Sequence, residues 1–140
     1  METTSDAITI DTTVKSAIEK VWNYWNEPQH IMQWCQASDD WHAPKAESDL
    51  KVGGKFTTTM AAKDGSFSFE FGGTYTKVEP NKVVEYTLGD GRKVKIIFSG
   101  SGNETKVAET FEPESENTIE IQRAGWQAIL DNFKKYTENN

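Results

Sequence analysis

Glu109 stands between Val107 and Phe111 at the spacing of a single strand face, with Ala108 and Thr110 on the other. Side chains alternate faces along a strand. If that alternation holds, the carboxylate points inward, where an unpaired charge is costly. A carboxyl so placed has a pKa tuned by burial and can serve as a general acid or base, with a tyrosine such as Tyr75 or Tyr86 orienting a substrate. The other reading is a bulge or an edge position that lets Glu109 reach water, and periodicity leaves both open.

A second concentration of reactive types lies between Val21 and His42, which holds four of the five tryptophans, both histidines and the only cysteine. His30, Cys35, Asp39, Asp40 and His42 are all competent zinc ligands. Their spacing matches no ordinary zinc pattern, and Cys35 falls on the apolar face of a short helix, so the stretch is read as surface histidines and a core thiol with no metal. Trp22 and Trp25 follow a helical stripe and are assigned to packing. Trp34 and Trp41 flank an irregular segment and are open to a role at a pocket mouth.

Other signatures fail. The chain contains no HExxH, CxxC, Walker loop or GxSxG, which removes the common metalloprotease, phosphate-binding and hydrolase patterns. Gly100-Ser101-Gly102 is half of a dinucleotide fingerprint, but a strand rather than a helix follows it, so no helix N-terminus is available for a pyrophosphate. No cofactor is expected.

The elements that must position these residues are legible from period and punctuation. Ile8 and Ile10 alternate with polar neighbours in a first strand over residues 7–14. Ser16 and Glu19 fit a capping box for a helix carrying Ile18, Val21, Trp22 and Trp25. Pro28 ends that helix and opens a second short one with Ile31, Trp34 and Cys35 on its apolar side. From Trp41 to Phe111 the pattern is strand and turn: Phe56, Thr58 and Met60; Phe67, Phe69, Phe71 and Tyr75; Val84, Tyr86 and Leu88; Val94, Ile96 and Phe98; Val107 and Phe111. Turn signals such as Asp64-Gly65 separate them, which describes an antiparallel meander. A last helix runs over residues 117–136, with Trp126, Ile129, Leu130 and Phe133 as its buried stripe. Gly125 inside it costs about 1 kcal/mol against alanine, so either the sheet or a ligand comes close to the helix there, or the glycine is simply tolerated. The expected architecture is α+β: a curved antiparallel sheet wrapped around a long C-terminal helix, with two short helices after the first strand.

Composition bounds the partners. The 140 residues suit one domain spanning 1–140. Aromatic residues make up 11% of the chain, and each carries a large buried area, so the core should be aromatic-rich. A formal charge of −7 without a basic cluster repels a phosphate backbone and argues against nucleic acid. No apolar run reaches the length of a membrane span. A single cysteine excludes an internal disulfide and fits a reducing compartment. The opening METTSDAITI lacks the charged start and apolar segment of a secretory signal, so a cytoplasmic protein is expected.

Several of these residues together resemble a known family. Val21-Trp22, the break at Asn26-Glu27-Pro28, Trp34, Val52-Gly53-Gly54-Lys55-Phe56, Tyr75, Val78-Glu79-Pro80, Tyr86-Thr87, and Gly125-Trp126 with Leu130 are similar to the START-like (SRPBCC) superfamily. Within it they are closest to the branch related to the C-terminal domain of the heat-shock protein 90 ATPase activator. The resemblance covers nearly the whole chain and implies a helix-grip fold with an elongated apolar cavity for a small hydrophobic or aromatic molecule. The catalytic residues of enzymatic members have no clear counterparts here.

The expected ligand contacts are Trp34, Trp41, Phe56, Met60, Phe69 and Phe71, together with Tyr75, Tyr86, Ile96, Phe98, Glu109, Trp126 and Leu130. The leading function is small hydrophobic-ligand binding. Its alternatives are a cavity enzyme of cyclase or hydrolase type using Glu109, and a co-chaperone-like domain with a chaperone-type protein partner.

Overall fold

The computed structural model describes residues 7–36 and 38–140. Residues 1–6, which open the segment read above as lacking a secretory signal, and residue 37 lie outside the described residues. The chain runs through β1 (Ile8–Val14), α1 (Ile18–Asn26), α2 (Pro28–Trp34), β2 (Trp41–Ser48), β3 (Lys55–Ala62), β4 (Ser68–Glu79), β5 (Val83–Leu88), β6 (Lys93–Ser101), β7 (Glu104–Phe111) and α3 (Ile119–Asn139). The strands form one seven-stranded antiparallel sheet in the order β1-β7-β6-β5-β4-β3-β2. The meander read from the turn signals is therefore present, and β1 closes it by pairing with the last strand.

Register explains which face is buried. One row across the sheet is Val78–Val84–Ile96–Glu109–Ile10, and the adjacent row is Tyr75–Tyr86–Val94–Phe111–Ile8. Every member except Val78 is buried. Neighbours two apart along each strand share a face, so these rows tile the concave side, while Ile97 on the opposite side is exposed. Strand β7 pairs without interruption to both neighbours from Thr105 to Phe111. No bulge re-aims Glu109.

Helix limits differ from the sequence reading at the start of α1 and at both ends of α3. The Ser16–Glu19 capping box does not form: α1 begins at Ile18, and its N-cap is Ala17 with no side-chain cap. Ser16 is instead held by β-structure. Its N–H donates to the Val14 carbonyl at 2.9 Å, and its own carbonyl accepts from the buried Thr105 hydroxyl at 2.8 Å. Pro28 does sit in the first turn of α2, where its missing N–H is harmless. Helix α3 is capped by Thr118, whose hydroxyl accepts from the Ile121 N–H at 3.2 Å. It continues past the expected end at Tyr136, because Thr137 is fully buried and the Asn139 and Asn140 side chains donate to the carbonyls four residues earlier.

Helix α3 lies along the concave face and ties itself to the free edge of β1. Arg123, Gln127 and Lys134 donate to the carbonyls of Thr9, Asp11 and Thr13 at 3.3, 3.4 and 2.7 Å. On its inner side Leu130 and Phe133 are completely buried. Phe133 meets Trp25 and Trp34 edge-on, with ring centroids 4.8 and 5.0 Å away, so one phenylalanine joins all three helices. At the far end His30 Nδ1 and the Tyr136 hydroxyl share a hydrogen bond of 2.7 Å, and the His30 ring stacks on Tyr24 at 3.9 Å. His30 is thus a half-buried clasp between α2 and α3 rather than a surface histidine.

Candidate functional site

Between the concave face and α3 a cleft of about 340 Å³ remains. Strands β3 and β4 supply Phe56, Thr58, Met60, Phe69, Phe71 and Tyr75; β5 adds Val84 and Tyr86, and β7 adds Glu109. The short helices close one side with Trp25, Asn26, Ile31, Trp34 and Cys35. Helix α3 contributes Gln122, Gly125, Trp126 and Ile129. Arg92, Glu114, Asn117 and Ile121 complete the lining, and Phe69, Asn117 and Ile121 are its exposed members.

Nine of the thirteen residues expected from sequence meet at this cleft: Trp34, Phe56, Met60, Phe69, Phe71, Tyr75, Tyr86, Glu109 and Trp126. The remaining four lie elsewhere. Ile96 is completely buried in the sheet row beneath its neighbours, and Leu130 is completely buried on α3. Phe98 is covered by Trp22, whose ring meets it edge-on at 5.1 Å. Trp41 joins Phe67 and Phe69 at the β3–β4 hairpin, with centroids 6.1 and 6.0 Å away. Ile96 and Phe98 share the strand parity of the lining residues and Leu130 the helical stripe of Trp126, but none of these four residues borders the cleft.

Trp25, assigned above to packing, also lines the cleft, as do Ile31, Cys35, Thr58, Val84 and Ile129. The signal of the last five was present, since each shares a helical stripe or strand face with an expected contact. Gln122, Arg92 and Glu114 carried no such signal. Gln122 reaches the wall because its amide bridges the turn before α3, donating to the carbonyls of Glu114 and Asn117 at 3.0 and 2.9 Å.

The aromatic walls are rigidly interlocked. Trp126 stacks flat on Phe111, centroids 4.0 Å apart and planes within 5°, and Phe71 meets its ring at 5.9 Å. Phe56 packs against Tyr86 at 4.6 Å and Tyr75 at 5.2 Å. The Trp34 indole N–H donates to the Tyr24 carbonyl at 2.9 Å, which fixes that ring in the wall.

Within this apolar surround Glu109 is 5% exposed. Its row is otherwise aliphatic, so desolvation is uncompensated and pushes its pKa from 4.5 up to about 8. The carboxyl is mostly protonated at neutral pH. Burial, and then the Glu109 charge, hold the Tyr86 hydroxyl well above its ordinary range. Burial, with a smaller effect of Glu109, pushes the Cys35 thiol up to about 12. Cys35 is therefore a thiol and not a nucleophile. The Tyr75 hydroxyl, also raised by burial, is engaged with Ser48 at 2.9 Å. Among the described residues no group of three or more His, Cys, Asp or Glu is placed to hold a metal. No helix among them is long and apolar enough to cross a membrane.

A curved antiparallel sheet gripping a C-terminal helix over an aromatic-walled cleft defines the START-like, helix-grip class. Residues 15–138 match the family model described as Activator of Hsp90 ATPase homolog 1-like protein, and the chain belongs to that family. Its fold is shared by a protein from Cytophaga hutchinsonii, 62% identical over 96% of this chain and 94% of that one, with a TM-score of 0.83. An AHSA1-like protein from Aeromonas hydrophila is 46% identical over 95% of this chain and 92% of its own, with a TM-score of 0.89. A protein from Nitrosomonas europaea, only 16% identical, reaches a TM-score of 0.84 over 99% of this chain and 98% of its own. The likeness there is of fold alone. No curated protein matches the chain.

Proposed function

We propose that the protein binds a small hydrophobic, partly aromatic molecule in the cleft between the sheet and α3. The observation that carries this reading is Gly125. It lies on α3 at the cleft wall, and a Cβ built there meets nothing within 4 Å. No close approach of the sheet demands the glycine, so its helix penalty is unexplained by packing. A ligand surface against the helix backbone accounts for it. The volume is at the small end of ordinary ligand pockets, and the mix of apolar walls with few polar groups is typical of them.

A thermal-shift screen with fatty acids and small phenolic ligands tests the proposal. A compound present at a hundred times its dissociation constant stabilises the fold by about 2.7 kcal/mol, a rise in melting temperature of a few degrees. Gly125→Leu, which places a side chain in the cleft, should abolish the shift while the variant stays folded. A melt unmoved by every compound, or moved equally in Gly125→Leu, counts against the cleft as the site.

A cavity enzyme is the second reading, favoured by Glu109, whose pKa of about 8 suits proton transfer near neutrality. It requires that a bound compound be turned over, with product formation detected by mass spectrometry and lost in Glu109→Gln. A chaperone-type protein partner is supported only by the family's description. The single cysteine, buried at Cys35, accords with a cytoplasmic setting.

A further inference from the structure

Two polar side chains on the concave face are left without protein partners. Glu109 and Tyr86 are 5% and 7% exposed, and both line the cleft. They stand in adjacent rows of the sheet, Glu109 opposite Ile96 and Tyr86 opposite Val94. Among the described residues no hydrogen bond satisfies either the Glu109 carboxyl or the Tyr86 hydroxyl, whereas the neighbouring Tyr75 hydroxyl is already held by Ser48. Among the described residues no cation acts on the pair, and the titratable groups that interact with it are Cys35 from the end of α2 and Tyr75 from β4. Arg92 is bound to Asp90 at 2.7 Å and to the Glu112 carbonyl at 3.4 Å.

The fully enclosed polar atoms without a partner are those of Gln36 and Thr137, not of this pair, so the Glu109 and Tyr86 tips open onto the cleft, and a bound molecule that displaces solvent there must satisfy them. Both groups can donate a hydrogen bond when protonated, and an apolar surround strongly favours the protonated carboxyl. What answers donors that face one apolar cleft is an accepting oxygen on the bound molecule. Resting on the ligand-binding reading above, we infer that the ligand is an uncharged apolar molecule bearing a carbonyl oxygen, a ketone or close relative, which accepts from Glu109 and Tyr86 while its hydrocarbon body fills the aromatic cleft. The pair orients the ligand; the walls hold it.

Three probes of one two-ring skeleton separate the possibilities: benzophenone, diphenylmethane and protonated benzhydrylamine, each titrated into the full chain and followed by tryptophan emission and calorimetry. The ketone should bind about tenfold more tightly than the hydrocarbon, the worth of one good hydrogen bond in a desolvated site. Glu109→Gln keeps a donor and should keep most of that preference. Glu109→Met, similar in length but without a donor, should reduce it to near equality. Tyr86→Phe should reduce it in part. Equal binding of ketone and hydrocarbon by the unmodified protein overturns the inference and leaves the cleft a purely apolar site. Tightest binding of the amine, lost in Glu109→Gln, overturns it in favour of an ion pair with a carboxylate. Binding of none of the three overturns both this inference and, for this skeleton, the cleft as a ligand site.

Discussion

At the scale of single residues, Glu109 carries the strongest physical consequence. Its folded pKa of about 8 lies above the ordinary 4.5. Below pH 4.5 the folded and unfolded chains both hold the proton. Between 4.5 and about 8 the unfolded chain releases a proton that the folded chain keeps, so stability falls as pH rises; above about 8 the loss is complete. Carboxylates held below their usual range by hydrogen bonds, such as Glu114 and Glu138, finish titrating beneath this window and do not mask it. From pH 5 to pH 8 the unfolding free energy should drop by about 3 kcal/mol through this group, and Glu109→Gln should flatten the slope. Equal slopes in urea titrations of the two proteins would contradict the burial. Strand parity made the inward aim of Glu109 legible in the sequence. What parity could not supply was the unbroken register of β7 on both sides, which removes the alternative of a bulge.

At the scale of elements, α3 was readable as a helix with a buried stripe, but the stripe divides in a way that period alone does not reveal. Leu130 and Phe133 are fully buried, while Trp126 and Ile129, one turn earlier, are half-buried and face the cleft. A 3.6-residue pattern marks the face of a helix, not what lies opposite it. The same limit explains the capping box: the residue types at Ser16 and Glu19 fit, but the partner that decides their fate is Thr105, far away in sequence. Gly125 yields the prediction that belongs here. Since a Cβ at that position meets nothing within 4 Å, Gly125→Ala should raise stability by about 1 kcal/mol, the helix-propensity difference. A urea midpoint that falls instead would show that the backbone at Gly125 is more crowded than its surroundings indicate.

At the scale of the whole molecule, the three helices meet at Phe133, and Phe133→Ala should cost about 3–5 kcal/mol, as large aromatic truncations in cores do. A denaturation midpoint near that of the unmodified protein would mean that Trp25 and Trp34 close over the gap. The architecture as a whole was accessible from turn signals and period, whereas the sheet's closure by β1 onto β7 is a long-range pairing that no local pattern encodes. That closure leaves β1 on one rim of the sheet with unpaired carbonyls, the arrangement that invites another chain to add a strand. Here those acceptors at Thr9, Asp11 and Thr13 are already taken by Arg123, Gln127 and Lys134. On the opposite rim β2 carries Pro44, exposed Lys45 and Glu47, and a break in register between His42 and Lys45. Both rims are thus unsuited to templating, and the sheet ends where the chain ends it: copies crowded together should resist edge-to-edge fibre growth, with the helix that shapes the cleft serving also as a guard against amyloid.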